Sequence, residues 1–280
     1  MIFYVQYVHI LKDKEDLEDN KKSLEEIVLI DVHCHLNFEE FNQTRDEIIK
    51  ESREDFKYII DSGTSIERNV KSLELTKKYR NFVKSTFGYH PVYAGVDNKQ
   101  TVNDTLQQIT DNIDNIQAIG EIGLDYSIDR PQEELKRQHI VFEQLLTLAT
   151  EYDMPIVLHV RDAEQHALDI VKKYTQLPDV VFHCFSGSKE TALEAVDYGY
   201  YLSFATNALF SKKHKKNIKK VPLENMLTET DSPYLSPIRD ENNRPIHIRK
   251  TIERIERTKN IEFDEIERIT EQNAIRVFNL

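Results

Sequence analysis

Ala118-Ile119-Gly120-Glu121 is a short apolar run ending on a carboxylate, and Ile156-Val157-Leu158-His159 is a second one ending on an imidazole. Between them, residues 132–152 carry apolar positions at helical spacing, with Leu135, Ile140, Phe142, Leu145, Leu146 and Ala149 expected on the inner face. Pro131 ahead of this span suits a helix start, and Pro155 behind it suits a stop. Neither flanking run alternates apolar with polar residues. That is the pattern of strands covered on both faces, as in a parallel sheet whose crossovers are helices. The stretch is therefore a β–α–β unit.

The same unit recurs in both directions. Short β-like runs centre on residues 28–31, 58–61, 83–87, 118–121, 156–159, 180–183, 200–204 and 226–229. Amphipathic spans near 43–54, 66–80, 101–113, 132–152, 162–173, 189–198, 247–259 and 263–278 separate or follow them. Eight strands alternating with helices predict an α/β fold, a (β/α)8 TIM-type barrel. No Pro-, Gly- or Ser-rich stretch reads as a linker, and no internal repeat is visible. Residues 27–280 are thus expected to form a single barrel domain. Residues 1–26 read as an N-terminal extension, of which 12–26 are a charged run.

Composition narrows the function. Charged residues make up 31% and hydrophobic ones 39%, a soluble balance, and no apolar run has the roughly 18–20 residues of a membrane span. Tyr4, Gln6, Tyr7 and His9 interrupt the mildly apolar start, which lacks the features of a signal peptide. Two cysteines, Cys34 and Cys184, make no disulfide framework; a reducing cytoplasm fits them, and both read as small buried strand residues. The net charge of −12 repels nucleic acid globally, so a phosphate substrate must be held locally, by bound cations for example.

Strand ends carry the chemistry. A barrel gathers the C-terminal ends of all its strands around one rim, where its catalytic groups sit. His33 and His35 are two apart on a strand and so share a face, with Cys34 on the other. Glu121 ends the fourth run, His159 the fifth and His183 the sixth, and Asp231 follows the eighth. In a closed barrel the eighth strand neighbours the first. This ordering predicts His33, His35 and Asp231 on one side, His159 and His183 on the other, and Glu121 bridging them with its two oxygens. Such a set binds two divalent metal ions; zinc, manganese, cobalt, iron and magnesium all remain open, and the histidines favour zinc or manganese over magnesium. Asp231 is the candidate general base and Glu121 the bridging carboxylate.

Around this set, His90 is a candidate substrate-phosphate contact or proton donor, and Arg161 a candidate bidentate phosphate ligand. Asp125 and Glu229 are candidates for orienting ligand histidines. Six lysines between 212 and 220 form the one basic cluster, either a solvated helix face or, from its first turn, a rim that steers phosphate. Tyr201 and Phe204 read as core, and Phe185 as a residue able to stack on a base. Gly88, Gly120, Gly123 and Gly187, among only seven glycines, lie inside the strand-end segments and imply close backbone approaches there.

With His33-Cys34-His35-Leu36, Gly88-Tyr89-His90-Pro91, Gly120-Glu121-Ile122-Gly123-Leu124-Asp125, His159-Val160-Arg161-Asp162-Ala163, His183-Cys184-Phe185-Ser186-Gly187 and Glu229-Thr230-Asp231-Ser232-Pro233-Tyr234-Leu235 in this order, the chain resembles the TatD-type metal-dependent hydrolases. The similarity runs from about Ile30 through Gln272-Asn273-Ala274-Ile275-Arg276-Val277-Phe278. The resemblance implies an amidohydrolase-type barrel and a divalent-metal centre at His33, His35, Glu121, His159, His183 and Asp231. It also implies deoxyribonuclease activity, commonly of the 3′–5′ exonuclease type. Two departures stand out: Asn37 replaces an aspartate frequent after His-x-His-Leu, and Asn243-Arg244-Pro245 lacks an acidic residue frequent before the proline.

Three readings follow. The first is phosphodiester hydrolysis on DNA ends or single strands, with no membrane or obligatory protein partner. The second is ester or C–N hydrolysis on the same centre, as in an aminoacyl-tRNA deacylase or an amidohydrolase. The third is a catalytically idle binding barrel, which predicts a missing ligand where none is missing.

Overall fold

The computed structural model describes residues 29–280. The 1–26 extension, its charged run and position 28 of the first expected strand lie outside the described residues. Strands β1 (Leu29–Cys34), β2 (Phe56–Ser62), β3 (Val83–Phe87), β4 (Ala118–Asp125), β5 (Ile156–Arg161), β6 (Val180–Phe182), β7 (Tyr201–Phe204) and β8 (Met226–Thr228) pair in sequence order. All seven pairings are parallel. The ring closes between β8 and β1 without a regular ladder. Asp231 N–H donates to His33 O at 2.9 Å and His35 N–H to Ser232 O at 2.7 Å, while Thr230 N–H donates to the Asp31 carboxylate at 3.0 Å. The (β/α)8 barrel expected from the sequence is thus the observed fold.

The helices are α1 (Arg45–Ser52), α2 (Ile66–Lys78), α3 (Pro91–Val96), α4 (Lys99–Asp111), α5 (Gln132–Glu151), α6 (Glu164–Val171), α7 (Lys189–Asp197), α8 (Lys212–Lys220), α9 (Ile248–Lys259) and α10 (Phe263–Phe278). None among the described residues is long and apolar enough to cross a membrane. Helix α3 was not expected. At six residues it is too short to show a period, and it rests on Pro91 at its start and on His90, which caps it. In α5 the expected inner face needs one correction. Ile140 is 57% exposed and Gln138 fully buried. The buried stripe runs 138, 141, 142, 145, 146, 149, and position 140 falls off that helical period.

The core lies directly beneath the strand ends. Val157, Val181 and Leu227 stand two residues before His159, His183 and Glu229, hence on the same strand faces. They cluster with Ile60 and Tyr201, and Phe278 of α10 packs onto the same group. Each such side chain stabilises the barrel by roughly 1.5–3 kcal/mol on burial, so the polar strand ends sit on a rigid apolar floor.

Candidate metal centre

Glu121 occupies the middle of the barrel mouth. Its Oε2 lies 3.6 Å from both His33 Nε2 and His35 Nε2, and its Oε1 lies 3.0 Å from His183 Nε2 and 2.5 Å from His159 Nδ1. Asp231 Oδ1 stands 3.3 Å from His35 Nε2 and 3.9 Å from His33 Nε2. The structure therefore brings all six expected residues together, with the first pair of histidines and Asp231 on one oxygen of Glu121 and the second pair on the other. Two overlapping sets of possible ligands, His33–His35–Glu121 and Glu121–His159–His183, share the glutamate.

Local backbone makes this crowding possible. A side chain at Gly88 would meet Glu121 N at 2.0 Å, so β3 can approach the carboxylate-bearing strand only through glycine. Gly123 has φ +144°, and a Cβ there would meet His159 O at 2.1 Å. Asp231 itself adopts φ +56°, held in that left-handed conformation by its N–H bond to His33 O.

The hydrogen bonds set the tautomers. Nδ1 of His35 faces the carbonyl oxygen of Ser62 at 2.9 Å, and a carbonyl can only accept, so Nδ1 carries the hydrogen. Nε2 then presents a lone pair to two carboxylates. His183 is arranged alike, its Nδ1 donating to Glu229 Oε1 at 3.3 Å and its Nε2 facing Glu121. The Nε2 atoms of His33 and His159 are buried without a hydrogen-bond partner. Acceptors facing acceptors in a buried site need a proton or a cation between them. The donor set of imidazoles and carboxylates suits divalent transition cations, so the residues present fit a metal centre.

Electrostatics agree. Burial pushes the Glu121 carboxyl up, but the charges of His183 and His159 and their hydrogen bonds win and hold it well below its ordinary range. Burial likewise opposes ionisation of Asp231, and the bond to His35 with the neighbouring imidazoles keeps its carboxyl lowered. Burial alone would lower His183; Glu121 and Glu229 instead raise it well above its usual value. His33 is lowered by burial and by His183.

The mouth opens into a cavity of about 580 Å³. His90 lies on its wall, with Nε2 3.8 Å from Glu121 Oε1. Its Nδ1 accepts the Val92 N–H at 3.2 Å as the cap of α3, which leaves the hydrogen on Nε2, facing the cavity. Burial, then His159, pulls its pKa down to about 3, so it is a neutral hydrogen-bond donor. Arg161 is exposed and also lines the cavity. Asp125 Oδ2 stands 3.4 Å from His159 Nε2, so it and Glu229 each back one histidine.

The sequence left several residues out. Arg68, in the first turn of α2, lines the cavity, holds its guanidinium 3.7 Å from the centre of the Phe38 ring and donates to Thr64 Oγ1 at 3.2 Å. Phe38 stacks on His35, and half-exposed Tyr234 meets both rings edge-on. Other expectations need correction. Phe185 is buried against Phe182 and cannot stack on a base. Tyr201 and Phe204 are buried core, as expected. Cys34 is a buried strand residue, but Cys184 lies beyond the end of β6 with φ +43°, lines the cavity and accepts from Asn207 Nδ2 at 3.2 Å. Asn37 is fully buried and holds Asp61, Ser62 and Ser72, away from Glu121. Asn243 is likewise internal, donating to Thr206 Oγ1 and Thr230 O.

Comparison with known proteins shows the same fold and a family of metal-dependent hydrolases. The family model "TatD related DNase" matches residues 30–279. An uncharacterized metal-dependent hydrolase of Methanocaldococcus jannaschii is 37% identical over 255 residues, covering 91% of this chain and 98% of its own. The human deoxyribonuclease TATDN3 is 29% identical over 259 residues, covering 89% and 94%. Among solved structures, the Escherichia coli TatD homolog YjjV superposes with a TM-score of 0.84 at 27% identity, over 91% of this chain and all of that one.

Proposed function

We propose, for a chain that belongs to the TatD-related DNase family of metal-dependent hydrolases, that it cleaves phosphodiester bonds at the ends of single-stranded DNA, in the 3′–5′ direction. The observation that carries this reading is the meeting of a metal-type donor set and two cavity arginines, Arg68 and Arg161, in a molecule of net charge −12. A small neutral amide has no use for those cations.

His33, His35 and Asp231 would hold one divalent ion and His159 with His183 a second, Glu121 serving both. Such ions supply Lewis acidity, lowering the pKa of a water and offsetting phosphoryl charge. The chain's own groups do the rest. Asp231, kept ionised by its imidazole neighbours, accepts a proton from the attacking water. His90 donates a hydrogen bond from its Nε2–H to a phosphate oxygen and stays neutral. Arg161 grips a phosphate beside the cleaved bond as a bidentate donor. Phe38 and Tyr234 offer faces for a terminal base, a contact worth roughly 1–3 kcal/mol. Asp125 and Glu229 keep the ligand imidazoles oriented. The barrel of residues 27–280 works as one domain.

The test is hydrolysis of a 5′-labelled single-stranded oligonucleotide by metal-stripped protein refilled with magnesium, manganese, cobalt or zinc. Glu121→Ala and Asp231→Asn run beside it. The reading expects a ladder shortened from the 3′ end that needs metal and disappears in both variants. Intact oligonucleotides with ions bound would discard it in favour of an acyl or amide substrate.

A further inference from the structure

Outside the cavity, two more imidazoles meet. His139 on α5 and His166 on α6 bring their Nε2 atoms to 3.0 Å, with ring centroids 4.4 Å apart. His166 is exposed and His139 half-buried, and neither lines the cavity. On the far side of the His166 ring, Nδ1 lies 3.1 Å from Tyr126 Oη. A hydrogen bond between two solvent-accessible imidazoles contributes little by itself, because water offers each ring the same bond. The geometry suits something stronger. Zinc–imidazole bonds of about 2.0–2.1 Å place two neighbouring ligand nitrogens roughly 2.9–3.4 Å apart for angles between right and tetrahedral.

We propose that His139 and His166 form a separate site for an imidazole-preferring divalent cation such as zinc, clamping α5 to α6 outside the catalytic cavity. Tyr126 supplies the partner that metal-bound histidines need. With Nε2 on the ion, His166 Nδ1 carries the hydrogen and donates to the tyrosine oxygen, which fixes the ring. Glu143 follows His139 by one helical turn on the same face and its charge is felt by His139, while the Asp169 carboxyl is lowered first by Lys172 and also by His166. Lys173 is the opposing charge near His139. Burial and the neighbouring His166 keep His139 below its ordinary pKa, hence neutral and available as a ligand. Water completes the coordination, since among the described residues no third His, Cys, Asp or Glu groups with the pair. The two histidines come from helices whose inner faces are apolar, and nothing in hydrolysis at the barrel mouth requires them.

The experiment is equilibrium dialysis of the full chain against zinc, with metal counted per chain. His139→Gln and His166→Gln are compared with the wild type, and Glu121→Ala serves as a control for the central site. The proposal expects each histidine variant to lose one weakly held ion while keeping the central ones. It expects Glu121→Ala to lose central metal and keep the weak ion. Both substitutions sit on accessible surface, and circular dichroism confirms that the variants fold. Wild-type stoichiometry and affinity in either histidine variant would overturn the site, as would loss of the weak ion only in Glu121→Ala. The readout is independent of any nuclease activity.

Discussion

Asp31 shows how one buried carboxyl couples the site to the fold. It is completely buried two residues before His33, and it accepts hydrogen bonds from Thr230 N–H at 3.0 Å, the Thr230 hydroxyl and His33 N–H at 3.3 Å. Burial pushes its pKa up to about 8 against the pull of those donors, and nearby Glu229 pushes the same way. A folded-state pKa above the unfolded one means that the folded protein binds the extra proton. The stability that proton brings is whole below about pH 4 and is lost as the pH rises towards 8, by at most about 1.4 kcal/mol per unit. Asp31→Asn cannot ionise. Urea unfolding of metal-stripped protein at pH 5 and pH 8 is therefore expected to show wild type losing up to about 4 kcal/mol more than the variant between the two pH values. Parallel losses would show that Asp31 is already ionised in the fold. Residues of this kind were only half legible. The two-residue spacing of His33 and His35 announces a shared face in any strand. Arg68 gives no such notice, because the end of β2, Ser62-Gly63-Thr64, holds no metal-type side chain and its importance comes only from ring closure.

Helix α5 carries a similar lesson at the next scale. Gln138, on its buried stripe, accepts the Asp125 N–H at 3.1 Å and donates back to Asp125 O at 3.4 Å, pinning the strand end that backs His159. Gln138→Leu leaves that buried amide without an acceptor and is expected to cost about 1–3 kcal/mol in urea unfolding. Ile140→Gln on the exposed side of the same helix is expected to stay within about 0.5 kcal/mol. Equal effects would mean that the helix is held by apolar area alone. The sequence displays the helix through its apolar spacing but hides Gln138, since a polar residue on an apolar stripe reads as surface until its partner is known. The strands were the most legible elements, because covered strands are short apolar runs and the six marked ends punctuate them. Helix α3 was the least legible, being shorter than the two turns a period needs. The β8–β1 closure was legible only as adjacency, since two backbone bonds and those accepted by the Asp31 carboxylate replace a regular ladder there.

For the whole molecule, the proposed function raises the question of how a chain of net charge −12 would hold a polyanion. The cavity supplies Arg68 and Arg161, and the six lysines of α8 are all exposed. That helix starts just past the loop that contributes Asn207 to the cavity wall, so its first turn faces the same end of the barrel. Each neutralised phosphate of a single strand contributes a slope of about −0.7 to the logarithm of the binding constant against that of salt. Two arginines thus predict about −1.4 for a tetranucleotide that fills only the cavity. A strand of roughly twelve nucleotides reaches past the rim, and its slope is expected to steepen by about 0.7 for each α8 lysine it engages. The measurement is fluorescence anisotropy with Asp231→Asn, expected not to cleave, at several salt concentrations, with and without Lys212→Glu and Lys213→Glu. The charge-reversed protein is expected to bind both strands with the tetranucleotide's slope. Identical slopes for the two lengths in the unreversed protein would leave α8 as a solvated face. A slope much steeper than −2 for the tetranucleotide would mean that the charged groups gripping DNA lie elsewhere than in the barrel mouth. For the tetranucleotide the shallow slope is the physically consistent outcome, because on a strongly acidic surface its recognition would rest on the few cations placed at the barrel mouth.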